Sequence, residues 1–212
     1  AQAHFIGNFI HVSALGIEEN TSCYAKTKLA GEHAIQAIMP EAKFIRPSLL
    51  FGPEDNFFNQ FASLSKILPF LPLIGGGKTK FQPVYVGDVA KAITKLAERN
   101  AAQGQITEAT GTEVYSFKDL MLKMFSYTKI KKPLIPLPWT IAYIDAFFLS
   151  LLPKPLLTPD QVTSLRYDNI KTGHYPDLGD LGLAPVTLDS ILPLYLPRYQ
   201  SGGKSWGAKT HA

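Results

Sequence analysis

Tyr24 and Lys28 are the pair in this chain best suited to chemistry. Four residues apart on a helix, two side chains share one face about a turn from each other. An ammonium placed there stabilises phenolate, lowers the phenol pKa and can hydrogen-bond a ribose, so the phenol becomes a proton donor or acceptor near neutral pH. The spacing equally fits an ordinary tyrosine packing beside a solvated lysine, and the surrounding elements have to decide. Ser13 supplies a hydroxyl at the end of the preceding apolar run. His11 reads as a packed or hydrogen-bonded core histidine. His4, His33, His174 and His211 are scattered without an H-x-x-H or C-x-x-C companion, which argues against a metal site. Arg46 suits a phosphate, a carboxylate or a plain ion pair, and Asp88 reads as a helix cap more than an acid catalyst. Cys23 is the only cysteine, so no internal disulfide forms, and it reads as a buried or half-buried structural thiol.

These residues need elements to hold them. Phe9-Ile10-His11-Val12-Ser13 is a β-branched apolar run that predicts a buried parallel strand. Ser22 to Met39 turns helical and is ended by Pro40, and Lys43 to Arg46 is a second strand stopped by Pro47, which makes a βαβ unit. A helix over Phe57–Leu68 opens on Glu54, Asp55 and Asn56. The triplet Gly75-Gly76-Gly77 marks a loop, Phe81 to Val86 is extended, and a helix over Val89–Glu98 starts at Asp88. A strand at Gly104–Ala109 and a Ser116-capped helix to Phe125 continue the alternation, which argues for an α/β sheet. Beyond Lys132 the texture changes to prolines, an aromatic helix with Trp139, Tyr143, Phe147 and Phe148, a helix start at Thr158-Pro159-Asp160-Gln161 and a last helix at Leu188–Leu196. A soft boundary near residue 110 divides a sheet part, 1–110, from a smaller helical part, 111–200, with a tail at 201–212.

Composition limits the function classes. Of 212 residues, 46% are hydrophobic and 18% charged, which excludes a disordered or collagen-like chain. The net charge of +4 is scattered, where nucleic-acid modules gather Lys and Arg on one face, so no nucleic-acid partner is expected. No apolar run reaches the length of a spanning helix, and the start at Ala1 shows no targeting peptide, although a mature protein could have lost one. Lys129, Lys131 and Lys132 precede the aromatic segment, a combination that fits either contact with anionic lipid or a membrane subunit, or a helix covering its own core beside a solvated lysine turn.

Four motifs in order, His11-Val12-Ser13, Tyr24 with Lys28, Arg46-Pro47-Ser48-Leu49-Leu50-Phe51-Gly52-Pro53 and Gln82-Pro83-Val84-Tyr85-Val86-Gly87-Asp88-Val89-Ala90, resemble the extended and atypical short-chain dehydrogenase/reductase superfamily. Gly31-Glu32, Glu54-Asp55-Asn56-Phe57-Phe58-Asn59 and Leu157-Thr158-Pro159-Asp160-Gln161-Val162 narrow the resemblance to the NDUFA9-type (39 kDa) accessory subunits of mitochondrial respiratory complex I and their bacterial relatives. It runs from about Phe9 to Tyr199.

The resemblance implies the C-terminal part of a Rossmann-like parallel sheet plus a smaller, mainly helical region. It implies a place peripheral to the inner membrane on the matrix side, with other complex I subunits as partners. It also implies NADP(H) as a structural ligand touched by Ser13, Tyr24, Lys28, Pro47, Ser48, Leu49 and Leu50. Two departures qualify this. The opening strand, glycine-rich turn and helix that hold a dinucleotide pyrophosphate are absent, so a separate chain or segment is expected to supply that N-terminal half. The position of the catalytic hydroxyl in active members falls on Ala14, which cannot hydrogen-bond a reacting carbonyl. Ser13 replaces it only if the register slips, which turns its side chain to the other face. Tyr24, Lys28 and Ser13 then read as vestigial, with an active NAD(P)-dependent reductase or epimerase as the competing reading.

Overall fold

The computed structural model describes residues 8–98, 104–153 and 155–200; His4, His211 and the 201–212 tail lie outside them. In chain order the elements are β1 (Ile10–Val12), α1 (Cys23–Ile38), β2 (Lys43–Pro47), β3 (Leu50–Phe51), α2 (Phe58–Ile67) and β4 (Leu71–Ile74). A 3-10 turn at Gly75–Gly77 leads to β5 (Lys80–Phe81), β6 (Val84–Tyr85), α3 (Val86–Glu98) and β7 (Ile106–Ala109). Then come β8 (Tyr115–Ser116), α4 (Phe117–Thr128), β9 (Leu134–Leu137), α5 (Trp139–Leu149), α6 (Pro159–Ser164), α7 (Leu188–Tyr195) and a 3-10 turn at Leu196–Tyr199.

The central sheet has the order β1-β2-β7, all parallel, with His11 opposite Phe44 and Ile45 opposite Thr107. Every residue of β2 is buried, as a strand covered on both faces requires. Alternation sends Phe44 to one face, where Ile35 and Met39 at the end of α1 cover it, and Ile45 to the other, where Val89, Ala92 and Leu96 of α3 cover it. The expected βαβ unit is therefore present. Among the described residues no strand pairs with the outer edge of β1, where Val12 is 43% exposed.

A second, larger cluster joins α2, β4, α4 and α7 through Phe58, Leu71, Leu120, Met124, Leu192 and Tyr195. It draws on residues to either side of position 110. Five phenylalanines, Phe57, Phe58, Phe61, Phe81 and Phe117, meet in it with ring centroids 5.2 to 6.5 Å apart. Two pairings tie the later segment to the earlier one: β4 with β9 in parallel, and β5 with β8 antiparallel. At the end of β4, Gly75 adopts φ +60°, and a Cβ there would fall 2.1 Å from the Trp139 indole, so the glycine lets α5 start against the turn.

Local signals held for the caps. Ser22 caps α1 by accepting from the Ala25 amide, and Ser116–Asp119 and Thr158–Gln161 form reciprocal capping boxes on α4 and α6. Asp88 does not cap. Helix α3 begins at Val86, two residues before Asp88, and the buried Asp88 carboxylate instead accepts from the Val186 amide at 2.7 Å and pairs with Lys91 at 3.0 Å. Cys23 is exposed, because the first turn of α1 turns it toward solvent, so the buried-thiol expectation is corrected. Helix α5 buries only Ala142 and Ala146 and leaves Ile141, Ile144, Phe147 and Phe148 exposed. No helix among the described residues is long and apolar enough to cross a membrane.

Candidate functional site

At the end of β1 the ladder to β2 continues through Ser13 N–H to the Ile45 carbonyl at 2.8 Å and Leu15 N–H to the Pro47 carbonyl at 2.9 Å. The Ser13 hydroxyl is buried and has no hydrogen-bond partner among the described residues. Ala14 follows it, half-buried. Beyond the turn at Gly16, the N-terminus of α1 docks on α6. The Asp160 carboxylate accepts from the Cys23 and Tyr24 amides at 2.6 and 3.0 Å, adding an anion where the helix dipole is positive. The first turn of α1 is thereby fixed, and Tyr24 and Lys28 project from it.

Tyr24 is 52% exposed. Burial of the rest of its ring pushes the phenol pKa up from its ordinary value, opposite to the direction expected of a neighbouring ammonium. The Lys28 Nζ donates to the Val12 carbonyl at 3.3 Å, anchored to the strand end. With its pKa raised, the phenol stays protonated at neutral pH. His11, behind it on β1, has its pKa lowered by burial and then by Lys28; its ring packs edge-on to Phe44 at 6.0 Å, and its Nε2 has no partner among the described residues.

The segment after β2 supplies the opposite wall. Asn169 organises it in a way the sequence did not reveal. The Ser48 hydroxyl lies 2.6 Å from Asn169 Oδ1 and the Leu49 amide donates to the same oxygen at 3.0 Å, while Asn169 Nδ2 donates to the Leu15 carbonyl at 3.0 Å. One side chain thus clamps the loops that follow β1 and β2. Its main chain bonds to the Lys80 carbonyl and the Gln82 amide, which brings β5 to the same point. The only signal available was an asparagine in a stretch without periodicity.

Tyr24, Ser48, Leu49 and Leu50 line one cavity of about 1060 Å3, together with residues of α2, the end of α5 and α6. Ser13, Lys28 and Pro47 are not among its lining residues; they stand behind it at the ends of β1 and β2. Asp55, at the start of α2, also lines it. Burial raises the Asp55 pKa against the lowering effect of hydrogen bonds from Tyr195 and the Asn59, Gly52 and Phe58 amides. Arg46 takes no part. It is buried and held by Glu32 through two bonds of 3.0 and 2.6 Å and by Glu18 at 3.0 Å, so it serves in an internal ion pair. No group of three or more His, Cys, Asp or Glu among the described residues could hold a metal ion.

The residues present suit one end of a dinucleotide. Tyr24 lines the cavity, the Ser13 hydroxyl, unpartnered among the described residues, lies behind it, and Lys28 spends one of its three donors on Val12, which fits the grip of a nicotinamide ribose. A glycine-rich strand-to-helix turn for the pyrophosphate is not among the described residues.

A family profile described as the RmlD substrate binding domain matches residues 17–138. The chain is 34% identical over 214 aligned residues to the mitochondrial NADH dehydrogenase (ubiquinone) 1 alpha subcomplex subunit 9 of Arabidopsis thaliana, covering 96% of this chain and 53% of the relative. It is 35% identical over 188 residues to the protein of the same name from Mus musculus, covering 87% of this chain and 49% of the relative. The chain thus spans about half the length of the curated relatives it matches. Among solved structures, the UDP-glucose 4-epimerase of Thermotoga maritima with UDP-glucose superposes with a TM-score of 0.65 at 16% identity, covering 92% of this chain and 63% of the other, which establishes the Rossmann-like fold.

Proposed function

The chain belongs to the family of the RmlD substrate binding domain, and from that premise we propose that it serves as a non-catalytic accessory subunit of respiratory complex I, the NADH:ubiquinone oxidoreductase. The observation that carries this reading is the 34% identity sustained over 96% of the chain to a subunit named for that complex. In this reading it sits peripherally on the matrix side of the mitochondrial inner membrane, among other complex I subunits, with Lys129, Lys131 and Lys132 against anionic lipid. The free edge of β1 is paired by a strand of the chain or segment that carries the glycine-rich turn, since an unpaired central strand is an aggregation liability.

NADP(H) is the nucleotide proposed, held for structure. Tyr24 and Lys28 bind the nicotinamide ribose, and Ser48, Leu49 and Leu50, positioned by Asn169, wall the ring side. When bound, the nicotinamide supplies a hydride. Ala14 gives no hydroxyl beside Tyr24 to orient an acceptor, and Lys28 is turned to Val12, so the chain's own residues bind the nucleotide without completing a proton relay. The test is a native gel of mitochondrial membranes probed for this chain. Co-migration with NADH:ubiquinone oxidoreductase activity is expected, and migration apart from it rejects the proposal.

A second reading, an active NAD(P)-dependent reductase or epimerase, is favoured by one observation: Tyr24 lines the cavity and its phenol is protonated, as a proton donor has to be. Hydride transfer to a carbonyl substrate that is abolished in Tyr24→Phe would decide for it.

A further inference from the structure

The cavity that Tyr24 lines meets the proposed nucleotide only at its nicotinamide ribose, and the rest of it is unsuited to an anionic ligand. Its lining contains no Lys, Arg or His but includes the carboxylates of Glu54 and Asp55. A diphosphate brought there would lose its water against two acids with no cation in return. The N-terminus of α2, which could otherwise receive a phosphate, is already used: the Phe58 and Asn59 amides donate to the Asp55 carboxylate at 2.6 and 3.3 Å. The walls are instead apolar, with Leu49, Phe57, Phe61, Leu64, Leu68 and Leu165 among them. A volume of about 1060 Å3 stands at the top of the range of roughly 300–1,000 Å3 that encloses a whole small ligand.

Next to the cavity lies an apolar stretch of exposed surface. Leu149, Leu156 and Leu157 line the cavity, and they flank or close a stretch in which Phe147, Phe148 and Leu151 are 58%, 63% and 71% exposed. Apolar surface therefore runs from outside the molecule to its interior. Polar lining residues sit where α1 meets α6, at Tyr24, Gln161 and Ser164, and at Ser48 and, around the start of α2, Glu54, Asp55, Asn56 and Gln60, while Phe61, Leu64 and Leu68 make the rest of α2 and its end an apolar wall.

We propose that this cavity binds the straight aliphatic tail of an uncharged lipid, entering past the end of α5, lying along α2 and bringing its polar head to Tyr24. The inference rests on reading Tyr24 as the nicotinamide end of the site, and it deepens that reading by naming the ligand class. Titration calorimetry of the full chain with 1-octanol, 1-decanol and 1-dodecanol tests it, with UDP-glucose as the charged comparison. Each added pair of methylenes should tighten binding about tenfold. UDP-glucose should give no heat. Leu64→Gln on the α2 wall should weaken 1-dodecanol at least about tenfold, while Phe148→Ser, outside the cavity, leaves the chain-length series intact.

No heat with the alkanols, affinity independent of chain length, binding of UDP-glucose, or loss in Phe148→Ser alone would each overturn the proposal. Should Leu64→Gln fail to fold, the chain-length series of the unaltered chain decides by itself. The native-gel result is read separately, so failure of tail binding and failure of the complex I reading are distinguishable.

Discussion

The Asn169 amide uses both of its ends, accepting from Ser48 and Leu49 and donating to Leu15. Asn169→Ala leaves the Leu49 amide and the Leu15 carbonyl without that partner in a half-buried place, while the Ser48 hydroxyl keeps the Asn169 main-chain carbonyl at 3.0 Å, so the change should cost about 2 kcal/mol of unfolding free energy. Urea unfolding measures it, and a loss below the scatter of surface substitutions would show that water replaces the clamp. Arg46 makes a second residue-scale prediction, because a buried ion pair is costly to break and cheap to replace. Arg46→Met strands the buried Glu32 carboxylate and should destabilise by about 3–5 kcal/mol. Adding Glu32→Leu should recover much of that, an interaction that a double-mutant cycle reads directly. Sequence reasoning left Arg46 open between ligand and ion pair, and it could not see Asn169, since its contacts to Ser48, Leu49 and Leu15 reach 121, 120 and 154 residues along the chain. Tyr24 and Lys28 were legible because their relation is one helical turn. The direction in which Lys28 points was not, since the Val12 carbonyl that captures it belongs to another element.

Helices α4 and α7 are clasped by Asp189, whose carboxylate accepts from Lys123 Nζ at 2.6 Å and from the Tyr127 hydroxyl at 2.5 Å. These two bonds, Lys123 first, hold the Asp189 pKa below the usual carboxylate range against the opposing effect of burial. A carboxyl whose folded pKa is depressed adds stability that is complete above its unfolded pKa of about 3.9 and vanishes as pH falls through the folded value. Asp189→Asn should therefore lower stability at pH 7 and lower it less near pH 2, as the parent carboxyl too takes up its proton. The side chain is 57% exposed and screened, so the loss at pH 7 should stay within about 1 kcal/mol. Melting temperatures at the two pH values check the sign, and an equal loss at both would assign the effect to packing. The caps of α1, α4 and α6 were readable because donor and acceptor lie within one turn of each other. The start of α3 was misplaced by the strong cap preference of aspartate, which here yields to a long-range bond to Val186. The β4–β9 and β5–β8 pairings depend on chain reversals of tens of residues and left no local trace.

Among the described residues the outer edge of β1 and the apolar side of α5 with the segment after it stand uncovered. The first asks for a strand, which supplies hydrogen bonds, and the second for an apolar medium or partner, so one ligand cannot satisfy both. The lysines bear on the second. Six residues separate Lys132 from α5, the four of β9 with Pro133 and Pro138 on either side, and the strand alone is about 13 Å of extended chain, which places the charges at one end of the strand and the aromatic helix at the other. A flat bilayer can touch both at once, whereas a small pocket on a protein cannot. Flotation with vesicles of phosphatidylserine and phosphatidylcholine should therefore bring the chain to the lipid fraction, and pure phosphatidylcholine should carry much less. Near an anionic surface each lysine contributes about 1 kcal/mol. Lys129→Gln, Lys131→Gln and Lys132→Gln together should then weaken partitioning on the order of a hundredfold at low salt, and raised salt should mimic the substitution. Phe147→Ser with Phe148→Ser should weaken binding to both vesicle types, because the lost term is apolar burial and carries no dependence on charge. If the chain stays at the bottom of the gradient with anionic vesicles, or floats equally with anionic ones in the triple lysine variant and the parent, the lysines are solvated and α5 faces a protein. In that case the apolar side of α5 becomes the first place to look for the neighbouring subunit.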